Sequence, residues 1–304
     1  MSPTRLLACF GASCVGGLAQ PQPALSQATR ETQALVEVRT IRVSDRLQPL
    51  GVAASPDGQI VVWTRDELFL VTREGSFTPI LGPPIHQALA GGYGDNRWEL
   101  VDVGRRAILR FNSIATEPSV IPFVVSGDVY SASRVSCGWL FQVWNSRTHK
   151  ASLVLVDAVG KVSWSIEASW ARKLPRSIGQ VFHLAGAGDE ATVTALGAPF
   201  ETATVNCSGD VEMLDHGPPM PEGGRWIALA TIPISTGFLT TYSDITSNRR
   251  VIRWRDMRGA FINDSRLNVP LGIAASVDST HVVAVRRTDY MELVVYAVER
   301  SSGP

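Results

Sequence analysis

From residue 36 onward the chain is a succession of short apolar runs separated by polar, glycine-marked turns, which is the pattern of β-strands rather than helices. The first run, Val36-Glu37-Val38-Arg39-Thr40-Ile41-Arg42-Val43, alternates apolar and polar positions as a half-buried strand does. Pro49-Leu50-Gly51-Val52-Ala53-Ala54-Ser55-Pro56-Asp57-Gly58 then recurs as Pro270-Leu271-Gly272-Ile273-Ala274-Ala275-Ser276-Val277-Asp278-Ser279. The offset is 221 residues, and one fifth of it is about 44, a length that suits a four-stranded propeller blade.

At that spacing, further short strands rich in small residues begin near Ala88, Val129, Val181 and Ile227. Small side chains suit innermost strands, where blades converge on an axis. Each is followed by a β-branched and aromatic strand: Gln59–Thr64, Trp98–Val103, Trp139–Trp144, Ala191–Leu196, Gly237–Tyr242 and His281–Val285. Third strands end in turns such as Arg73-Glu74-Gly75, Ala158-Val159-Gly160, Cys207-Ser208-Gly209 and Met257-Arg258-Gly259, where glycine supplies a positive φ. Five units have a fourth strand. The sixth ends after its third, Leu293–Val298, and the alternating strand at residues 36–43 is the candidate to complete it. The reading is all-β: a six-bladed propeller of four-stranded blades over residues 36–299, its last blade closed by the amino-terminal strand, with a tail at 300–304. Residues 167–180 depart furthest from the period and read as a short helix, a lid or an insertion.

With blade spacing, the Ala54–Gly58 inner turn and the glycine-marked hairpins in view, the chain resembles the six-bladed propellers of the NHL-like and TolB-like superfamily. That resemblance implies a fold, and propellers of this kind host enzymes, scaffolds and binding modules alike. Gluconolactonase-like propellers hold a divalent cation on the axis. The resemblance therefore raises a cation such as calcium here, held by Asp128, Asn268 and Glu222, in a metal-dependent hydrolase or lyase.

Composition narrows the setting. The 304 residues carry 28 basic and 28 acidic side chains, a balance that argues against nucleic-acid binding. The amino terminus has one cation, Arg5, an apolar stretch from Leu6 to Ala19 and small residues around Ser26, which reads as a signal peptide over residues 1–26 and a secreted or periplasmic protein. The stretch is short for a transmembrane helix, which needs roughly 20 apolar residues. Beyond the leader stand Cys137 and Cys207, either a disulfide or two thiols.

In a propeller, loops leading into inner strands share a face with turns between second and third strands. Gln48, His86, Asp128, Tyr130, Gln180, Arg225, Trp226 and Asn268 stand at the former and could ring the axis; His183 lies within an inner strand. The latter carry Arg65, Arg105, Arg106, Arg147, Arg249, Arg250, Arg286 and Arg287, a cationic face fit for carboxylates, sulfates or phosphates. No Gly-x-Ser-x-Gly or His-Glu-x-x-His pattern is present. The function expected is a monomeric binding or interaction propeller. Its ligand, an anionic small molecule, a glycan or a protein, sits on the arginine-bearing axial face.

Overall fold

A computed structural model describes residues 31–43, 47–55, 57–72, 74–80, 82, 85–112, 117–168, 182–195, 202–214, 218–247, 249–266, 274–276, 280–287 and 291–302. Among them all regular structure is β-strand, in six four-stranded antiparallel sheets. Blade one is β2 (Gly51–Ala54), β3 (Ile60–Trp63), β4 (Leu68–Val71) and β5 (Phe77–Pro79). Blade two is β6 (Ala88–Gly94), β7 (Arg97–Asp102), β8 (Ala107–Phe111) and β9 (Ser119–Pro122). Blade three is β10 (Asp128–Val135), β11 (Gly138–Asn145), β12 (Lys150–Val156) and β13 (Val162–Glu167). Blade four is β14 (Phe182–Ala187), β15 (Glu190–Ala195), β16 (Thr202–Asn206) and β17 (Val211–Met213). Blade five is β18 (Trp226–Ile234), β19 (Gly237–Asp244), β20 (Arg250–Arg255) and β21 (Phe261–Arg266). Blade six is β22 (Ala274–Ser276), β23 (His281–Arg287) and β24 (Met291–Ser302), with β1 (Glu31–Arg42) as its outer strand. The inner strands touch in turn, β2, β6, β10, β14, β18, β22 and back to β2, so the blades close into a ring.

The residue pattern explains this arrangement. Second strands such as Ile60-Val61-Val62-Trp63 are buried on both faces because each blade lies between two others. Their apolar side chains form the inter-blade layers; Val101, Ile108, Phe123, Trp139, Phe141 and Val154 fill the one between blades two and three. Outer strands are polar on alternate residues, as Val162–Glu167 shows. The third-to-fourth strand turns close as expected. Gly75, Gly160, Gly209 and Gly259 stand at φ 91°, 86°, 88° and 78°, and each N–H bonds back to the carbonyl of Thr72, Asp157, Asn206 or Asp256.

The closing strand is longer than residues 36–43. Pairing runs from Glu31 opposite Ser302 to Arg42 opposite Glu292, with a bulge between Glu37 and Arg39. The extra length has its own partners in blade five. Gln33 N donates to Asn263 Oδ1 and Asn263 Nδ2 to Gln33 O, both at 3.4 Å, while Leu35 and Val298 pack beside Ile234 and Trp254. The strand thus clasps blade five as well as completing blade six.

Cys137 and Cys207 form a disulfide across 70 residues of chain, joining the first hairpin turn of blade three to a turn of blade four. Around it Ser136 N donates to Gly188 O at 2.7 Å, Cys207 N to Asp189 O at 3.0 Å, and Trp164 Nε1 to Cys207 O at 2.8 Å. The leader, the 169–181 segment, Gln180 and Asn268 lie outside the described residues.

Candidate functional site

A cavity of about 340 Å³ runs along the axis, lined by the inner strands of blades one to five. Its wall is built from small residues. A Cβ on Gly51 would come within 1.9 Å of the Trp63 indole and one on Gly91 within 2.6 Å, so the glycines let that ring lie flat across two inner strands. Trp63 is 4% exposed, and its indole N–H has no acceptor among the described residues.

His183 is the imidazole on this wall. Its Nε2 lies 3.1 Å from Ala228 O in the next blade. A carbonyl only accepts, so Nε2 carries the proton and Nδ1 keeps its lone pair. Burial pushes this imidazole below its usual range, and the Ala228 bond opposes that only in part. The unfolded chain therefore takes up the proton first. Stability from neutral His183 is complete above about pH 6.5 and falls as the pH drops below it, by at most about 1.4 kcal/mol per unit. Melting followed from pH 7 to 5 is expected to show a smaller loss in His183→Phe than in wild type. Equal slopes would contradict a neutral buried imidazole.

Inner strands β6, β10 and β18 each carry a bulge at the same height, so Leu89, Tyr130 and Leu229 leave the ladder. Leu89 and Leu229 line the axial cavity together with half-exposed Leu50. The cavity is therefore rimmed by leucines that follow, two or three residues on, Gln48, His86 and Trp226 of the polar ring read from the sequence.

Of the sequence candidates among the described residues, only His183 lines this cavity. Gln48, His86 and Arg225 are exposed on the surrounding loops. Trp226 is buried, donates from Nε1 to Pro221 O at 3.0 Å, and lies beneath the Arg249 guanidinium 5.4 Å from its ring centre. Arg106 and Tyr130 meet at a second cavity over blade two.

The meander places the second-to-third strand turns at the ends of the blades where the inner strands begin, and several of their arginines have local acids. Arg105 pairs with Asp102 at 3.5 Å and Arg249 with Asp244 at 3.0 Å. Arg286 pairs with Glu37 at 2.6 Å and Glu292 at 2.8 Å, which raises its already high pKa. Arg250 lies in β20, opposite Ser243. Arg65 and Arg147 are exposed.

Asp102 and Asp244 are a repeated device that the sequence reading missed. Both end the second strand of a blade, and both are fully buried. Asp102 accepts from the N–H groups of His86, Gln87 and Arg105. Asp244 accepts from Arg225 N at 2.9 Å and from Thr246 N and Oγ1. Hydrogen bonds from the Ser247 and Thr246 hydroxyls hold its carboxyl well below the usual carboxylate range. Each carboxylate ties the loop leading into an inner strand to the turn beside it, which fixes the rim. The two segments, Leu100-Val101-Asp102 and Tyr242-Ser243-Asp244, share only the aspartate, so the sequence signal is a lone acid at the end of a second strand.

The calcium expectation finds no matching donor set. Among the described residues no three His, Cys, Asp or Glu side chains gather as metal ligands. Asp128, the first residue of β10, and Glu222 are both exposed, and Asn268 lies outside the described residues. No helix among the described residues is long and apolar enough to cross a membrane.

The chain matches no family profile and no curated protein. It is similar in structure to a gluconolactonase-family protein (TM-score 0.59, 11% identity, 88% of this chain and 99% of that one). It is also similar to virginiamycin B lyase from Staphylococcus aureus (0.51, 12%, 89% and 88%). A third similar structure is BBS1N, solved in complex with ARL6DN (0.53, 11%, 84% and 80%). At these identities the likeness concerns the fold alone, and that fold is the six-bladed β-propeller.

Proposed function

We propose that this chain is an extracytoplasmic binding propeller that takes a small ligand with an apolar body and a polar tip into its axial cavity. The observation that carries this reading is the pairing, within one cavity of about 340 Å³, of a leucine rim with an imidazole, His183, that bonds protein through Nε2 alone. His183 Nδ1 can accept, so a ligand hydroxyl or amide N–H finds a partner on the cavity wall. The Cys137–Cys207 bridge and the signal-like amino terminus support an oxidising compartment. The compensated arginines make the rim less cationic than its residue count suggests, which favours a ligand chosen by shape and hydrogen bonding over one captured by charge.

A thermal-shift screen of neutral metabolites on wild type and Leu229→Trp tests this. Compounds that stabilise wild type are expected to lose their effect when the indole narrows the rim. Equal stabilisation of both proteins would overturn the reading.

A further inference from the structure

The second cavity, of about 510 Å³, lies over blade two beside the axial rim and shares Leu89 with it. Its floor is apolar, with Phe123 buried and Val103 and Val129 beside it; Gln87, Arg106, Asp128 and Tyr130 stand around it. These groups are held in place. Asp102 Oδ1 accepts from Gln87 N at 3.0 Å, and Gln87 O accepts from Val103 N at 2.9 Å. Arg106 adopts φ 54°, a left-handed conformation unfavourable for a non-glycine residue. Its guanidinium donates to Val125 O at 3.2 Å and Gly127 O at 3.1 Å, which fixes both the cation and the loop carrying Asp128.

Tyr130 is the informative residue. It occupies the bulge position that holds Leu89 in blade two and Leu229 in blade five. Where those leucines face the axis, Tyr130 lines the second cavity with 45% of its surface exposed. An exposed aromatic face beside a donor-only guanidinium, an acceptor-only carboxylate and an amide that does both suits a ring with one apolar face and a hydroxyl rim. Asp128 disfavours an anion in this space and Arg106 disfavours a cation.

We propose that this notch binds an uncharged hexopyranose, its apolar face on Tyr130 and its hydroxyls shared between Asp128 and Arg106. The site is independent of the axial one. The test is saturation-transfer NMR on the full chain with the methyl glycosides of glucose, mannose and galactose and with alanine as a zwitterionic control. At least one glycoside is expected to receive saturation. The signal should vanish in Tyr130→Leu, which restores the residue found at the two equivalent bulges. It should weaken at least about tenfold in Asp128→Asn, with both variants melting as wild type. It should survive in Leu229→Trp, which separates this site from the axial one. No transfer to any glycoside, transfer unchanged in Tyr130→Leu, or transfer to alanine alone would overturn the proposal.

Discussion

Replacing Glu99 by alanine is expected to destabilise the protein by about 3–5 kcal/mol, the usual loss when one partner of a buried ion pair is removed. Glu99 sits in the middle of β7, 4% exposed, where the strand pattern calls for an apolar residue. Its Oε1 accepts from Arg110 Nε at 2.7 Å and its Oε2 from Trp139 Nε1 at 2.7 Å, while Arg134 Nε lies 2.9 Å from Oε2. Arg134 reaches it from the inner strand of the next blade, over Gly92 and Gly94, where a Cβ would come within 2.8 Å and 3.1 Å of its side chain. One carboxylate therefore pairs with two guanidinium groups, one of which also reaches Asp95 at 3.4 Å, and joins blades two and three. Truncation leaves the Arg134 charge and the Trp139 indole N–H buried without that acceptor. The melting temperature should fall by roughly 5–10 °C for a chain of this size. Glu99→Gln keeps a carbonyl acceptor and should lose less. A loss under about 1 kcal/mol in Glu99→Ala would show that water or a neighbouring acceptor replaces the carboxylate.

The second large effect is expected at the disulfide. Closing a loop of 70 residues lowers the entropy of the unfolded chain by an amount worth about 4 kcal/mol in the chain-entropy model. The double substitution Cys137→Ser with Cys207→Ser, or reduction of the wild type, should lower the melting temperature by roughly 7 °C. Blades three and four remain joined by hydrogen bonds from Ser136 N to Gly188 O, from Ser136 Oγ to Asp189 Oδ1 and from Trp164 Nε1 to Cys207 O, so the folded ring should persist at 25 °C with unchanged circular dichroism. Thiol titration of the denatured, unreduced chain beginning at residue 27, which lacks Cys9 and Cys14, should find neither remaining cysteine free. Two free thiols there, or a melting temperature unaffected by reductant, would contradict a structural bridge.

These two features mark what could be read from residues alone and what could not. The blade count rested on the echo of Pro49–Gly58 at Pro270–Ser279, and the closure on the alternation from Val36 to Val43. Both are local patterns with a fixed period, which a chain displays without its fold. The turn glycines were legible for the same reason, since positive φ selects glycine. The Glu99 cage was not. Its members lie on four strands of two blades, and the only local signal is an acid and two arginines, Arg110 and Arg134, at strand positions expected to be apolar. The cysteine pairing stayed open until the ends of neighbouring blades were in register. The axial site was half legible. His183 on an inner strand was legible, but one-residue bulges place Leu89 and Leu229 at the cavity, and strand alternation alone does not locate bulges.

The most direct test of the account is a crystal structure of the protein with the compound that stabilises it most and fails to stabilise Leu229→Trp. The account expects the compound in the axial cavity, its apolar part against Leu50, Leu89 and Leu229 and a polar group within hydrogen-bond distance of His183 Nδ1. A compound bound outside the ring, with the axial cavity holding only water, would contradict it.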